Sequence, residues 1–255
     1  MRSSKAVLES PDFRVSLVTC AASHRHWSAP EENGAAGVVL VRRGMFRLLS
    51  DGRRQTVDPT LGYLQVPGRE QRFAHPAGGD VCTFIWVRET LWHAVVGDAA
   101  ADSAVVVDAR VELAHRLLLR TRRDAADPAE RLVHTLVAAA RPQIAGAPGH
   151  ADLADRAREA VLAGEPDSAD LVSLAQALDV SPWHLSRTFH RHVGMTLSRY
   201  RNRVRVSRAL ARIEEGDTAL ADLAADVGFA DQSHLTRTLR AELGHPPSRL
   251  RHLFS

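Results

Sequence analysis

The chain has 255 residues, 45% hydrophobic and 25% charged, with a formal net charge of +3 at pH 7. That balance is ordinary for a soluble globular protein with one large core or two moderate ones, and it sets an expectation of two domains. The longest apolar stretches, AGVVLV and TLVAAA, fall far short of the roughly 18 residues a membrane span needs. The N-terminus MRSSKAVLESPDFRVS mixes both charge signs and has no apolar secretion core, so the expected location is the cytoplasm. There Cys20 and Cys82 are expected as thiols or metal ligands before a structural disulfide.

Taken in chain order, residues 12–96 hold short apolar or alternating runs, GVVLVRRG, MFRLLSDGRRQTV, GYLQVPGR and GGDVCTFIWV, parted by SDG, PG and AGGD turns. Such spacing predicts a β-sandwich or barrel. From Asp108 the period changes to three and four, with Val111, Ala114 and Leu118 on one stripe and Leu132, Leu136 and Ala139 on another. Asp127 and Pro128 read as the N-cap and first turn of the second of these helices. The segment PQIAGAPGH then reads as a linker. Beyond it the spacing predicts helices near 152–163, 170–178, 182–192, 197–213, 219–227, 232–242 and 247–253, with Gly194 and Gly244 as helix stops.

The last hundred residues contain a repeat. Leu185, Arg187, Thr188, Gly194, Ser198, Arg199 and Arg201 recur fifty positions later as Leu235, Arg237, Thr238, Gly244, Ser248, Arg249 and Arg251. Leu174-Ala175 precede Leu223-Ala224 by 49, so one turn has gained a residue. A short helix, a tight turn and a second helix is the helix-turn-helix plan, present here twice. The intervening helix carries an apolar stripe of Val206, Ala209, Leu210 and Ile213 and a basic one of Arg201, Arg205, Arg208 and Arg212. Eight arginines and no acidic residue lie between Ser181 and Ile213. Flanked by two such units, the basic stripe is expected to include phosphate contacts.

LADLAADVGFADQSHLTRTLRAELGHPPSRLR resembles the second helix-turn-helix of the AraC/XylS transcription regulators, with the GF-x-D-x-S-x-L opening and G-x-x-P-S exit; Leu239 stands where the family usually has Phe. The resemblance implies a regulator of transcription that binds double-stranded promoter DNA. By position, the first recognition helix would present Trp183, His184, Ser186 and Arg187, and the second Gln232, Ser233, His234, Thr236 and Arg237. Arg pairs with guanine, Gln with adenine, and Thr offers a methyl or hydroxyl. Arg191 and Arg240 suit phosphate, while Leu185, Phe189, Leu235 and Leu239 belong to the core.

The resemblance also implies a cupin-like β-barrel ahead of the reader, binding an effector or dimerising. GYLQVPGREQRF resembles the second cupin motif, but Gln71 stands where a metal-binding His is expected. His24, His26 and Glu31 or Glu32 only partly echo the first motif. A separate candidate for zinc or another soft metal, or for redox sensing, is the set Cys20, His24, His26, His75 and Cys82. Even spacing puts the first three on one face of a strand, and PAGGDV would fold His75 and Cys82 together.

The expected architecture is therefore α+β in two domains: a cupin-like regulatory barrel at 1–107, a helical dimerisation or linker segment at 108–145, and an all-α bipartite helix-turn-helix domain at 150–255. The expected protein is a homodimeric regulator and not an enzyme, with no certain cofactor. The alternative is a cupin-type or DNA-alkylation-responsive enzyme with an accessory reader; against the latter, no Pro-Cys-His-Arg acceptor motif occurs.

Overall fold

The computed structural model describes residues 2–95, 103–120, 130–131, 133–135, 140–142, 151–216 and 219–255. Its strands are β1 (Arg2–Glu9), β2 (Phe13–Cys20), β3 (Glu31–Glu32), β4 (Gly37–Arg43), β5 (Phe46–Ser50), β6 (Arg53–Val57), β7 (Leu61–Gln65), β8 (Glu70–Ala74), β9 (Asp80–Val87), β10 (Ser103–Val106) and β11 (Ala140–Pro142). They form two antiparallel sheets, one in the order β1-β2-β9-β4-β7-β10-β11 and one in the order β3-β8-β5-β6. Helices α1 (Glu89–Val95) and α2 (Ala109–Leu118) follow the barrel strands.

The run GVVLV in β4 is apolar at every position because both faces of the larger sheet are covered. Val39 and Val41 point between the sheets, toward Phe46, Leu48, Val57 and Tyr63. Val38 and Leu40 point the other way, into a second layer with Ile85, Trp92 and Leu118. The expected β-rich half is thus present, with two additions: β1 begins at Arg2, and Glu89–Val95 is helical. The helical expectation for 108–145 holds for α2 and for the described residues 130–131 and 133–135, but Ala140–Pro142 pairs with β10 as an edge strand. Asp127, Pro128, Leu132, Leu136 and Ala139 lie outside the described residues.

The C-terminal half consists of α3 (Ala151–Ala163), a 3-10 turn (Pro166–Ala169), α4 (Leu171–Ala177), α5 (Pro182–Val193), α6 (Leu197–Glu214), α7 (Leu220–Asp226), α8 (Gln232–Leu243) and α9 (Pro247–Phe254). These bounds follow the sequence expectation closely. Helix α6 belongs to two cores at once. Its first half gives Leu197, Tyr200 and Val204 to a cluster with Ala157, Leu174, Leu185 and Phe189. Its second half gives Val206, Leu210 and Ile213 to a cluster with Leu223, Leu235, Leu239 and Leu250.

Ala109 and Leu113 of α2 enter that second cluster, while Leu118 faces the barrel. Both apolar sides of α2 are therefore covered within the chain. The apolar area of α2 is thus removed from water within the chain, the intramolecular packing that the sequence left open beside dimerisation.

Buried ion pairs cross the seam between the halves. Asp58, in the β6–β7 turn, is fully buried. Its Oδ2 accepts from Arg158 Nε and Nη2 at 2.8 and 2.6 Å and from the Tyr200 hydroxyl at 2.7 Å. Its Oδ1 accepts from the Thr60 amide and hydroxyl, both at 2.7 Å. Glu112 of α2 likewise accepts from Arg116 at 2.8 Å, Arg203 at 3.1 Å and the Ser207 hydroxyl at 2.7 Å. Burial alone would push both carboxyls up, but the Arg158 guanidinium for Asp58, and Arg116 and Arg203 for Glu112, hold them below the usual range. Glu214 closes the seam, accepting from Arg42 at 2.8 and 2.9 Å and from Arg116 at 2.7 Å.

His115 sits beside this cluster, its Nε2 at 2.8 Å from the Thr83 hydroxyl of β9. Burial, helped by the charges of Arg42 and Arg116 and opposed by Glu112, lowers its pKa to about 3 from 6.5. Between those values the unfolded chain binds more protons than the native one, so this contribution is complete above about pH 6.5 and falls as the pH drops toward 3. Thermal unfolding should therefore show the midpoint of the wild-type protein falling between pH 7 and pH 5. In His115→Gln, which keeps a polar group toward Thr83 but cannot take up a proton there, the fall should be smaller. Equal falls would remove His115 as the cause.

Candidate functional site

The repeat seen in the sequence is also a repeat of local geometry. Ser181 caps α5 by accepting from the His184 amide at 3.2 Å, and Asp231 caps α8 by accepting from the His234 amide at 2.6 Å. These caps satisfy amide groups that the first turn of a helix leaves without partners. Both helices end on a glycine, Gly194 and Gly244, with φ of +76°. The turns ahead pass through Asp179 at φ +57° and Gly228 at φ +85°. Leu178, Asp179 and Val180 correspond to Val227, Gly228 and Phe229 at an offset of 49, whereas the caps are 50 apart. Ala230 is therefore the residue the second turn has gained.

One face of each recognition helix is buried: Leu185 and Phe189 in α5, and Leu235 and Leu239 in α8, are all fully covered. Leu239 packs into the core, as expected. The opposite face leaves Trp183, Arg187 and Arg191 of α5 exposed, with His184 and Ser186 partly so. On α8 it leaves Gln232, Ser233, Arg237 and Arg240 exposed, with Thr236 partly so. His234 differs from its neighbours, because its ring packs edge-on against Phe229 at 5.2 Å. Trp183 is 68% exposed, the most open large apolar side chain among the described residues. The Arg187 guanidinium lies 5.1 Å from its ring centroid, a cation-π pair that fixes a flat, charged platform on the surface.

The arginine stripe of α6 behaves otherwise than expected. Arg201 is buried, donating to the Ser168 carbonyl at 2.5 Å and the Asp170 carbonyl at 2.7 Å. Arg208 donates to the carbonyls of Val161 and Leu162 at 3.2 and 2.8 Å, at the end of α3. Arg212 pairs with Asp226 at 3.3 Å. Carbonyls left over at helix ends need donors, and these side chains supply them. Arg201 and Arg208 thus tie helices together, while Arg187 and Arg191 of α5 and Arg237 and Arg240 of α8 carry exposed positive charge.

In the barrel, a cavity of about 240 Å³ opens between the sheets. Its walls are largely apolar, with Phe46, Phe73, Phe84 and Val39, and its polar end holds Cys20, His24, His75, Asp80 and Cys82. Cys20 pairs in register with Asp80, and Val18 with Cys82. Residues two apart on a strand share a face, so Cys20, Asp80 and Cys82 lie together. The even-spacing argument for His24 and His26 fails, because β2 ends at Cys20 and both histidines follow it in a loop. His24 reaches the cavity, donating from Nδ1 to the His26 carbonyl at 2.8 Å, but His26 stacks outside it at 4.7 Å. Asp80 is the residue sequence reasoning missed; its position two before Cys82 on one strand was the available signal. Gln71 is buried and accepts from the Asn33 side chain, and Glu31 pairs with Arg2 at 3.2 Å, so neither stands as a free cupin-type ligand.

Residues 174–252 match a family model described as a helix-turn-helix domain. Over 80 residues the chain is 34% identical to the HTH-type transcriptional activator RhaS of Pectobacterium carotovorum, covering 31% of this chain and 29% of that protein. This domain is similar to the helix-turn-helix domain of that activator, in keeping with the resemblance read from the sequence. The same region is also 34% identical, over 83 residues, to the bifunctional transcriptional activator/DNA repair enzyme AdaA of Bacillus subtilis, covering 32% of this chain and 39% of that one. The chain thus spans well under half the length of these curated relatives. Among solved structures, ToxT of Vibrio cholerae O395 aligns with 96% of this chain and 99% of its own at 10% identity and a TM-score of 0.41. Among the described residues no helix is long and apolar enough to cross a membrane.

The inward arginine of α6 gives a direct check. Arg201→Ala leaves the carbonyls of Ser168 and Asp170 without their donor, and such a loss costs about 1–3 kcal/mol. Urea unfolding should show that drop, whereas Arg191→Ala, on an exposed position, should leave the midpoint nearly unchanged. Equal effects would return Arg201 to the surface role first expected of it.

Proposed function

We propose that the chain is a sequence-specific transcription regulator whose barrel senses an effector and whose paired recognition helices read promoter DNA. The observation that carries this is the duplicated geometry: two helices capped and stopped alike, each with its leucine side buried and its Arg, Gln, Thr and Trp side open. In this reading Arg187 and Arg237 contact base edges, helped by Trp183, His184, Ser186, Gln232, Ser233 and Thr236, while Arg191 and Arg240 contact phosphate. His234 serves chiefly to pack the turn through Phe229. Helix α6, 18 residues long, spans about 27 Å at 1.5 Å per residue. That length supports placing the two helices in successive major-groove turns, which repeat at about 34 Å.

The protein acts as a homodimer in this proposal. The barrel cavity takes the effector, and the seam of Asp58, Glu112 and Glu214 transmits its occupancy. An effector shifts the DNA-binding state only to the extent that it binds two arrangements of the chain unequally. No catalytic role is assigned: Cys20 and Cys82 face the barrel cavity, and burial with Asp80 alongside pushes the Cys82 thiol well up, away from the reactive thiolate.

Fragments selected from genomic DNA by the full chain would supply the cognate site. On it, Arg237→Ala should cost about 1–3 kcal/mol and relax preference at one base pair, whereas Arg240→Ala should weaken cognate and random DNA alike and lower the salt slope by about one. If Arg237→Ala weakened both kinds of DNA equally, its base-reading role would be refuted; if the full chain selected no fragment above random DNA, so would the whole reading.

A further inference from the structure

The polar end of the barrel cavity contains donors that the protein itself does not satisfy. One ligand atom each from Cys20, His75 and Asp80 lies within 4.8 Å of the other two. His75 and Asp80 are more than nine-tenths buried. His75 Nε2 comes within 3.1 Å of Asp80 Oδ1, but their alignment makes no hydrogen bond, and His75 Nδ1 and Asp80 Oδ1 both lack a partner. A buried polar atom without a partner costs about 1–3 kcal/mol, and Asp80 Oδ1, beside an imidazole and a sulfur, calls for an occupant.

Three elements bring these groups together. Cys20 is the last residue of β2 and Asp80 the first of β9, paired directly across the sheet. His75 follows β8, and its amide donates to the His24 carbonyl at 2.8 Å, which fixes the start of the turn leading to β9. Cys82, two residues along β9, donates its thiol proton to Asp80 Oδ2 at 2.8 Å. That bond holds the carboxylate and leaves Oδ1 for something else, the arrangement by which outer groups orient a metal ligand.

We propose that Cys20, His75 and Asp80 bind a divalent ion of the zinc class, with its fourth position open to the cavity. One sulfur, one imidazole and one carboxylate oxygen suit zinc, whose bonds to them run about 2.0–2.3 Å. Such bonds place tetrahedral donors roughly 3.5 Å apart, so binding requires the three groups, now within 4.8 Å of one another, to draw together. On binding, the Cys20 thiol proton passes to solvent and the thiolate sulfur coordinates the metal; Cys82 keeps its proton and its bond to Asp80. Three protein ligands leave a coordination position free, and here it faces a pocket walled by Phe46, Phe73 and Phe84. His24 stands edge-on to His75 at 5.3 Å and walls the site, and His26 lies outside it. The site goes beyond the regulatory reading and does not depend on it, since the barrel alone supplies every ligand.

The test uses the full chain, freed of metal with a chelator, returned to buffer and titrated with zinc against a chromophoric competitor, then with cobalt. We expect one ion per chain and a sulfur-to-cobalt charge-transfer band. Cys20→Ser should abolish the band and weaken zinc more than about 100-fold, beyond the 10–100-fold typical of an outer-shell change. Asp80→Asn should weaken zinc similarly while keeping the residue's volume, and His26→Ala should change neither reading. Circular dichroism of each variant establishes that the barrel is intact; should Asp80→Asn unfold, Cys20→Ser alone decides. No stoichiometric zinc, or a cobalt spectrum unaltered in Cys20→Ser, would overturn the proposal. Because no DNA enters the measurement, its failure is separate from failure of the regulatory reading.

Discussion

The Asp58 carboxylate, sealed between the barrel and the reader, constrains the rest of the molecule. Five donors converge on it, from Thr60 on its own turn and from Arg158 and Tyr200 across the seam. A buried charge is tolerable only when paired and hydrogen-bonded on every side. Asp58 meets that condition only while α3 and α6 lie against the β6–β7 turn, so its ionisation and the docking of the two halves are one equilibrium. Replacing such a pair with apolar groups is often neutral for stability, but removing one partner is not; what the pair specifies is the relative placement of the halves.

Helix α2 adds a second connection of a different kind. It gives Leu118 to the barrel, Ala109 and Leu113 to the second helix-turn-helix core, Glu112 to Arg203 and Ser207, and His115 to Thr83. Thr83 lies on β9, whose other face carries Asp80 and Cys82 into the cavity. Cavity, β9, α2 and reader are therefore contiguous. In the proposed regulatory reading, an occupant that displaces β9 by a fraction of an ångström would act on a packed element with few alternative arrangements, which is how a small local change becomes a discrete one.

Much of this was legible in the sequence. The helices of the C-terminal half and their stops at Gly194 and Gly244 follow from short-range chemistry, and their bounds came out within a residue or two. The buried leucines of both recognition helices were readable from spacing for the same reason. What was not legible depends on long-range partners. Arg201 and Arg208 looked like a solvent-facing basic stripe because nothing in their own helix shows that carbonyls of α3 and the following turn lie within reach. His24 and His26 were placed on a strand by spacing that ignored where β2 stops. Asp80 was overlooked because an acidic residue after AGG reads as turn chemistry until its pairing with Cys20 is known. Asp58 and Glu112 gave no sign of importance, since burial of a carboxylate is decided entirely by what folds over it.

A double-mutant cycle across the seam tests the central claim most directly: urea unfolding of the wild-type chain, Asp58→Ala, Arg158→Ala and the double variant. The account predicts that each single change costs about 3–5 kcal/mol, because each strands a buried partner. It also predicts that the double variant loses less than the sum, with a coupling of about 1–3 kcal/mol. Losses that simply add, or single losses below about 1 kcal/mol, would contradict it.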